Sequence, residues 1–189
     1  MQLAQCTLWQ RLDAPGHDAC RLERHDAGFR LRGTAVCLEA GAPASLTYTV
    51  ECDDGWRTRR GLIHGWIGAV ALDFHIVRDP HDGWRCNGEP VDGLAHCVDL
   101  DLGFTPATNL FHLRRLSLGE GQGAANPVAW FDVAAGQLEL VEQRYERRTA
   151  QAYWYESPRF DYRAMLQVDA HGFVSEYPGL WQRAGGDPA

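Results

Sequence analysis

The chain has 189 residues, 45% hydrophobic and 11% aromatic, which is enough apolar side chain to bury one substantial core. It has 18 basic residues, all of them arginine, against 25 acidic ones, for a formal charge of −7. That balance excludes a general nucleic-acid binder, which presents a net basic footprint.

Along the chain, the first stretch, MQLAQCTLWQRL, has neither a basic leader nor an apolar run of signal-peptide length. No later segment reaches membrane-spanning length, so the reading is a cytoplasmic protein without a transmembrane segment. Cys6, Cys20, Cys37, Cys52, Cys86 and Cys97 are widely spaced with no CxxC, and in a reducing compartment they read as small buried hydrophobes. Turn signals recur at short intervals: APG, DAG, GAP, DDG, DPHDG, NGEP, AAG and DAHG. Short strands between such turns are the pattern of an antiparallel meander.

The strand pattern alternates accordingly. In SLTYTVEC, Leu46, Tyr48, Val50 and Cys52 share one face; in VALDFHIVRD, Val70, Leu72, Phe74 and Ile76 oppose Asp73 and His75. FDYRAMLQV repeats this with Phe160, Tyr162, Ala164, Leu166 and Val168, while LELVEQRYER changes phase, which predicts a β-bulge near Leu140. Ten or more strands exceed what an open twisted sheet carries without curling. The expected fold is therefore all-β: a single large antiparallel meander curled into a barrel or half-barrel, with at most one or two short helices. The best helical stretch is a turn or two within 108–118, where Thr108 or Asn109 could cap Leu110 to Leu113. No linker or repeat divides the chain, so 1–189 reads as one domain with a frayed tail over 184–189.

The stretch VDLDLGFTPATN, 98–109, stands apart from the ordinary strands. As a strand it places Val98, Leu100, Leu102 and Phe104 on one face and Asp99 and Asp101 on the other, their origins about 7 Å apart. Such a face is either solvated or aims two acceptors into a cavity, where they could bind sugar hydroxyls or an arginine. Arg114 and Arg115, read as strand neighbours, point in different directions, so at most one can join the aspartates. Tryptophans and tyrosines recur through strands and turns, as core or as the wall of a small-molecule site. His64, His75 and His96 read as structural, and neither HExxH, H-x-H nor GxSxG spacing occurs, so no metal, cofactor or catalytic serine is signalled.

DLDLGFTPATN from Asp99, RRL at 114–116, QRY at 143–145 and VSEYPGLWQR at 174–183 together resemble a bacterial glycolipid-binding family first known as a domain of unknown function. The resemblance covers nearly the whole chain. It implies one β-rich domain curled into a half-barrel around an apolar cavity, similar to periplasmic lipoprotein carriers, and a role in binding glycolipid. The leading expectation is a non-enzymatic binder of an amphiphile, its apolar part held among Trp66, Tyr145, Trp154, Tyr162 and Trp181. Asp99, Asp101, Asn109 and one of Arg114 or Arg115 would grip the polar head. The alternative is a hydrolase or isomerase acting on a sugar or lipid head with Asp99 and Asp101 as acid and base, although carboxylates on one strand point the same way and do not flank a bond. A third expectation is a protein whose exposed sheet edge pairs with another chain, including a second copy in a homodimer.

Overall fold

A computed structural model describes residues 5–185. The chain first runs through eight strands, β1 (Gln5–Arg11), β2 (Gly16–His25), β3 (Gly28–Glu39), β4 (Ala42–Cys52), β5 (Thr58–Ile67), β6 (Val70–Asp79), β7 (Gly83–Cys86) and β8 (Glu89–Val91). Then come β9 (Asp99–Leu102), the helix α1 (Asn109–Leu116), β10 (Gly123–Ala125), β11 (Val128–Asp132), β12 (Gln137–Val141) and β13 (Arg144–Arg147). The last strands are β14 (Ala152–Ser157), β15 (Tyr162–Val168), β16 (Val174–Tyr177) and β17 (Trp181–Arg183), with a 3₁₀ turn at Pro158–Phe160.

Fourteen of these strands form one antiparallel sheet in the order β10-β13-β14-β15-β16-β17-β1-β2-β3-β4-β5-β6-β7-β8. The first and last strands join in its middle, where Trp9 lies opposite Arg183 and the Ala184 amide donates to the Leu8 carbonyl at 2.8 Å. Of the expected tail, Ala184 bonds to β1 in this way, and 186–189 lie outside the described residues. The outermost strands, β10 and β8, pair with one neighbour each, so the sheet is an open half-barrel and not a closed barrel. Register shifts at Glu51/Cys52 and Gln167/Val168 add local bends to its twist.

A second sheet of three strands, β12-β11-β9, departs from the single-meander expectation. Its β9 and β11 are parallel, with Leu100 opposite Ala129, and α1 lies in the crossover that a parallel pair requires. The phase change in LELVEQRYER therefore has another cause than a bulge near Leu140. It marks the passage of the chain from β12 in the small sheet to β13 in the large one.

The small sheet and α1 pack into the hollow of the large sheet. Leu100 of β9 meets β5 at Gly61, where an added Cβ would lie 2.5 Å from the leucine Cδ2. Phe131 packs edge-on against Phe74 of β6, Phe104 against Tyr48 of β4, and Trp56 against Phe111 of α1. One continuous core results, running from Trp9 and Leu31 through Leu100 and Phe111 to Tyr145 and Leu166. Four of the cysteines are buried within the fold, as their spacing suggested, while Cys6 is exposed and Cys86 half-buried. Burial pushes the Cys52 thiol up to about 12 and that of Cys97 to about 11.

Candidate functional site

The hollow is not filled to the brim. A cavity of about 310 Å³ remains between the end of β9, the turn leading into α1, and the inner face of β14–β17. Its apolar walls are Trp130, Phe160, Tyr155, Tyr162, Tyr177 and Trp181, and its polar groups are Asp101, Thr105, Asn109, Gln143 and Ser157. A concave site with aromatic walls and a few fixed polar groups is the usual architecture of a small-molecule site. A larger hollow of about 800 Å³ lies across β1–β4, but side chains such as Leu8, Arg21, Arg32 and Thr34 that line it are solvent-facing strand residues over an open trough. It lacks the buried polar cluster that the smaller cavity has.

Burial on both faces of β9 explains that cluster. All four residues of DLDL are buried, because β9 is packed on one side by the large sheet and covered by α1 on the other. The solvated-face reading of Asp99 and Asp101 is therefore corrected: buried carboxylates need partners, and each aspartate has its own set. Asp101 Oδ1 accepts from the Thr108 hydroxyl at 2.9 Å and Oδ2 from Gln143 Nε2 at 2.6 Å. Thr108 stands at the N-cap of α1 but makes no side-chain cap bond; its hydroxyl donates to Asp101 and accepts from the Leu102 amide at 3.3 Å.

Asp99 is taken up by Arg115 in a two-pronged pair, Nε to Oδ1 at 2.9 Å and an η nitrogen to Oδ2 at 2.8 Å. The same guanidinium also donates to Asn126. The two arginines belong to the last turn of a helix, not to a strand, so their directions differ by about 100°. Arg115 consequently turns to β9, whereas Arg114 donates to the His171 carbonyl and lies 5.6 Å over the Trp56 ring.

Behind Asn109 lies a buried relay. Asn109 Nδ2 donates to the Tyr145 hydroxyl at 2.8 Å, and that hydroxyl donates to Gln143 Oε1 at 3.2 Å. His112 Nε2 is 3.1 Å from the Leu100 carbonyl, which can only accept, so the ring proton belongs on Nε2 and Nδ1 faces Tyr145. Burial holds the Tyr145, Tyr155 and Tyr177 hydroxyls well above their ordinary range and pushes Tyr162 up to about 12. All four phenols remain protonated near neutral pH. Their rings form a contiguous panel, with Tyr155 centred 4.9 Å from Tyr145, 5.6 Å from Tyr177 and 6.1 Å from Tyr162.

Of the residues expected at a site, Asp101, Asn109, Tyr162 and Trp181 line the cavity. Tyr145 stands directly behind Asn109 and Gln143. Asp99 and Arg115 form the separate ion pair just described, and Arg114 is on the far side of α1. Trp66 is 44% exposed on β5, and Trp154 projects from the opposite face of β14 to Tyr155, donating to Glu156 at 2.7 Å. Neither reaches the cavity, because adjacent strand residues face opposite ways and the inner side of β14 belongs to Tyr153 and Tyr155. Gln143, Thr105, Ser157, Tyr177 and Trp130 were missed. The phase of LELVEQRYER puts Gln143 on the face of Tyr145, the signal that could have brought it into the site. Among the described residues, no three His, Cys, Asp or Glu side chains converge as a metal-ligand set, and no helix is long and apolar enough to cross a membrane.

Gly103 gives the cavity wall its closeness. A Cβ there would sit 2.7 to 2.8 Å from three atoms of the Trp130 indole, so only glycine lets the ring lie against the chain. Gly103→Ala is expected to cost about 1–3 kcal/mol by overpacking and to displace Trp130, read as a lower melting temperature with an altered tryptophan emission. An unchanged melt and spectrum would show that the contact is not held in solution.

The comparisons with known proteins agree with this architecture. The crystal structure of a DUF1089-family protein from Pseudomonas aeruginosa superposes with a TM-score of 0.77 at 30% identity, covering 89% of this chain and 92% of that one. No curated protein matches the chain. A sequence model of the family described as "Putative glycolipid-binding" matches residues 6–183, and the chain belongs to that family.

Proposed function

We propose that this protein binds an amphiphile by its sugar head, with the head in the aromatic cavity and the tail outside it. The observation that carries the reading is the Asp101 carboxylate, held by Thr108 and Gln143 inside a wall of six aromatic rings. Sugar rings have apolar C–H faces that pack on aromatic rings and hydroxyls that donate to a carboxylate, and this site offers both. About 310 Å³ lies at the lower end of small-molecule sites, room for one sugar ring but not for an acyl chain as well. Phe160 lines the cavity while remaining 49% exposed, which gives the tail an apolar surface to cross at the rim.

This division of the ligand differs from the one the sequence suggested, with acyl chains inside and both aspartates on the head. Asp99 has its acceptor capacity directed at Arg115. The paired-carboxylate hydrolase is disfavoured on the same ground: among the residues lining the cavity, Asp101 is the single carboxylate.

The test is a titration of tryptophan fluorescence with octyl glucoside, below micelle formation, against an octyl polyethylene-glycol ether with no sugar. The glucoside is expected to bind at least tenfold more tightly. Asp101→Asn should remove about tenfold of its affinity, near 1.4 kcal/mol for a hydrogen bond to a charged acceptor. Equal affinity for the two amphiphiles overturns the proposal.

A further inference from the structure

Resting on the sugar-head reading above, we infer that the cavity selects by charge: it accepts a neutral sugar head and turns away an anionic one bearing a carboxylate, phosphate or sulfate. Among the residues around the cavity, Asp101 is the one acidic side chain, and no arginine or histidine lines the wall. The chain has 18 arginines, so their exclusion from this wall is a feature of how the fold places them.

The arginines packed on the cavity's rings already have acidic partners. Arg159 lies 5.5 Å over the Trp130 ring and 5.9 Å over that of Phe160 and is paired with Glu139. Arg11 lies 5.7 Å over the Trp181 ring and is engaged with Asp13 and Glu39. Arg115 is closed off by Asp99 and Asn126. Each of these three guanidiniums is thus held by an acidic partner of its own.

Several of the wall's neutral donors are already committed: one hydrogen of Gln143 Nε2 goes to Asp101, the Thr105 hydroxyl to Asp18, and the Tyr162 hydroxyl to the Pro178 carbonyl at 2.6 Å. Ser157 Oγ is buried in the wall near the Tyr155 hydroxyl, and both hydroxyls can donate and accept toward a neutral hydroxyl in the cavity. Asp101 makes two hydrogen bonds and has lone pairs to spare for sugar hydroxyls. An acid placed there would instead meet a like charge in a poorly solvated site, where that repulsion is only weakly screened.

The probes are octyl glucoside and octyl glucuronide, which share tail and ring and differ by one carboxylate, titrated into the full chain at pH 7.5. The glucoside is expected to bind at least tenfold more tightly, and in Asp101→Asn the ratio is expected to fall to about threefold or less. An amide at this position keeps a partner for both Thr108 and Gln143, and the variant's melting curve checks that it folds. Equal or tighter binding of the glucuronide to wild type overturns the charge selection while the sugar reading stands. A ratio unchanged in Asp101→Asn overturns the assignment to Asp101, and failure of both glycosides to bind removes the sugar reading and this inference together.

Discussion

Replacing Arg115 by methionine is expected to destabilise the protein by about 3–5 kcal/mol, the usual consequence of leaving a buried carboxylate without its counter-ion. Asp99 is fully buried at the start of β9, and three contacts of 2.8 to 3.1 Å tie its oxygens to the guanidinium. Methionine matches the length of the apolar stem but supplies no donor, so Asp99 would be stranded and Asn126 would lose its Arg115 contact. The double variant Asp99→Asn with Arg115→Met removes the stranded charge and is expected to recover more than half of the loss. Urea unfolding at pH 7 measures both. A single variant within about 1 kcal/mol of wild type would show that Asp99 finds water or another partner. Because the pair joins β9 to the last turn of α1, its loss should loosen the cradle that aims Asp101 at the cavity, and glucoside affinity should fall along with stability.

The comparison of sequence with structure divides along a physical line. Where a strand has one wet face, alternation identified it: β4 and β6 contain the stretches read as strands, while β15 starts at Tyr162, two residues later than read, with Phe160 in the 3₁₀ turn, and Val70 at the start of β6 is 62% exposed. Strand number likewise implied a curled sheet. In β9 the rule fails because both faces are buried, so alternation no longer reports exposure, and DLDL could not be read as an interior parallel strand. The same blindness hid the second sheet, since a strand carries no local mark of which sheet it joins. The helix falls within the stretch read as a turn or two of helix, but the two arginines of its last turn were read as strand neighbours; their separate destinations follow from helical geometry that a strand reading cannot supply. Asp101 and Asn109 were recognisable as polar residues in an unusual setting, but Gln143 and Ser157 reach them across 42 and 48 positions of chain, a proximity that only the fold creates.

Asp18 was invisible for a similar reason, and it carries the second large expectation. It is fully buried on β2, where Oδ2 accepts from the Tyr48 hydroxyl at 2.8 Å and from Thr105, while Oδ1 has no partner. Burial is the dominant influence and raises its carboxyl to about 6, against the opposing pull of the two hydroxyls. The folded protein therefore holds a proton between pH 4 and 6 that the unfolded chain, with an ordinary value near 3.8, has released. Stability from this group is complete below the unfolded value and is lost as pH rises through the folded one, amounting to about 3 kcal/mol across the window. Glu51 acts in the opposite sense: its pairing with Arg60 and Arg30 lowers it to about 2, so its contribution holds above pH 4.5 and is lost on acidification through about pH 2. Comparing wild type with Asp18→Asn isolates Asp18 from such groups. Asparagine can still accept from Tyr48 and Thr105 but does not titrate, and its amide nitrogen takes the unpartnered position at a cost of about 1–3 kcal/mol. Unfolding free energies measured from pH 4 to 8 should show the difference moving by about 2–3 kcal/mol in the variant's favour, so that a deficit at pH 4 is erased or inverted by pH 8. Parallel curves would mean that Asp18 is already ionised at pH 4, with a water or a shifted side chain satisfying Oδ1. Thr105 links this carboxyl to the cavity wall, so the same titration sets how firmly the FTPATN turn is anchored beneath Asp101.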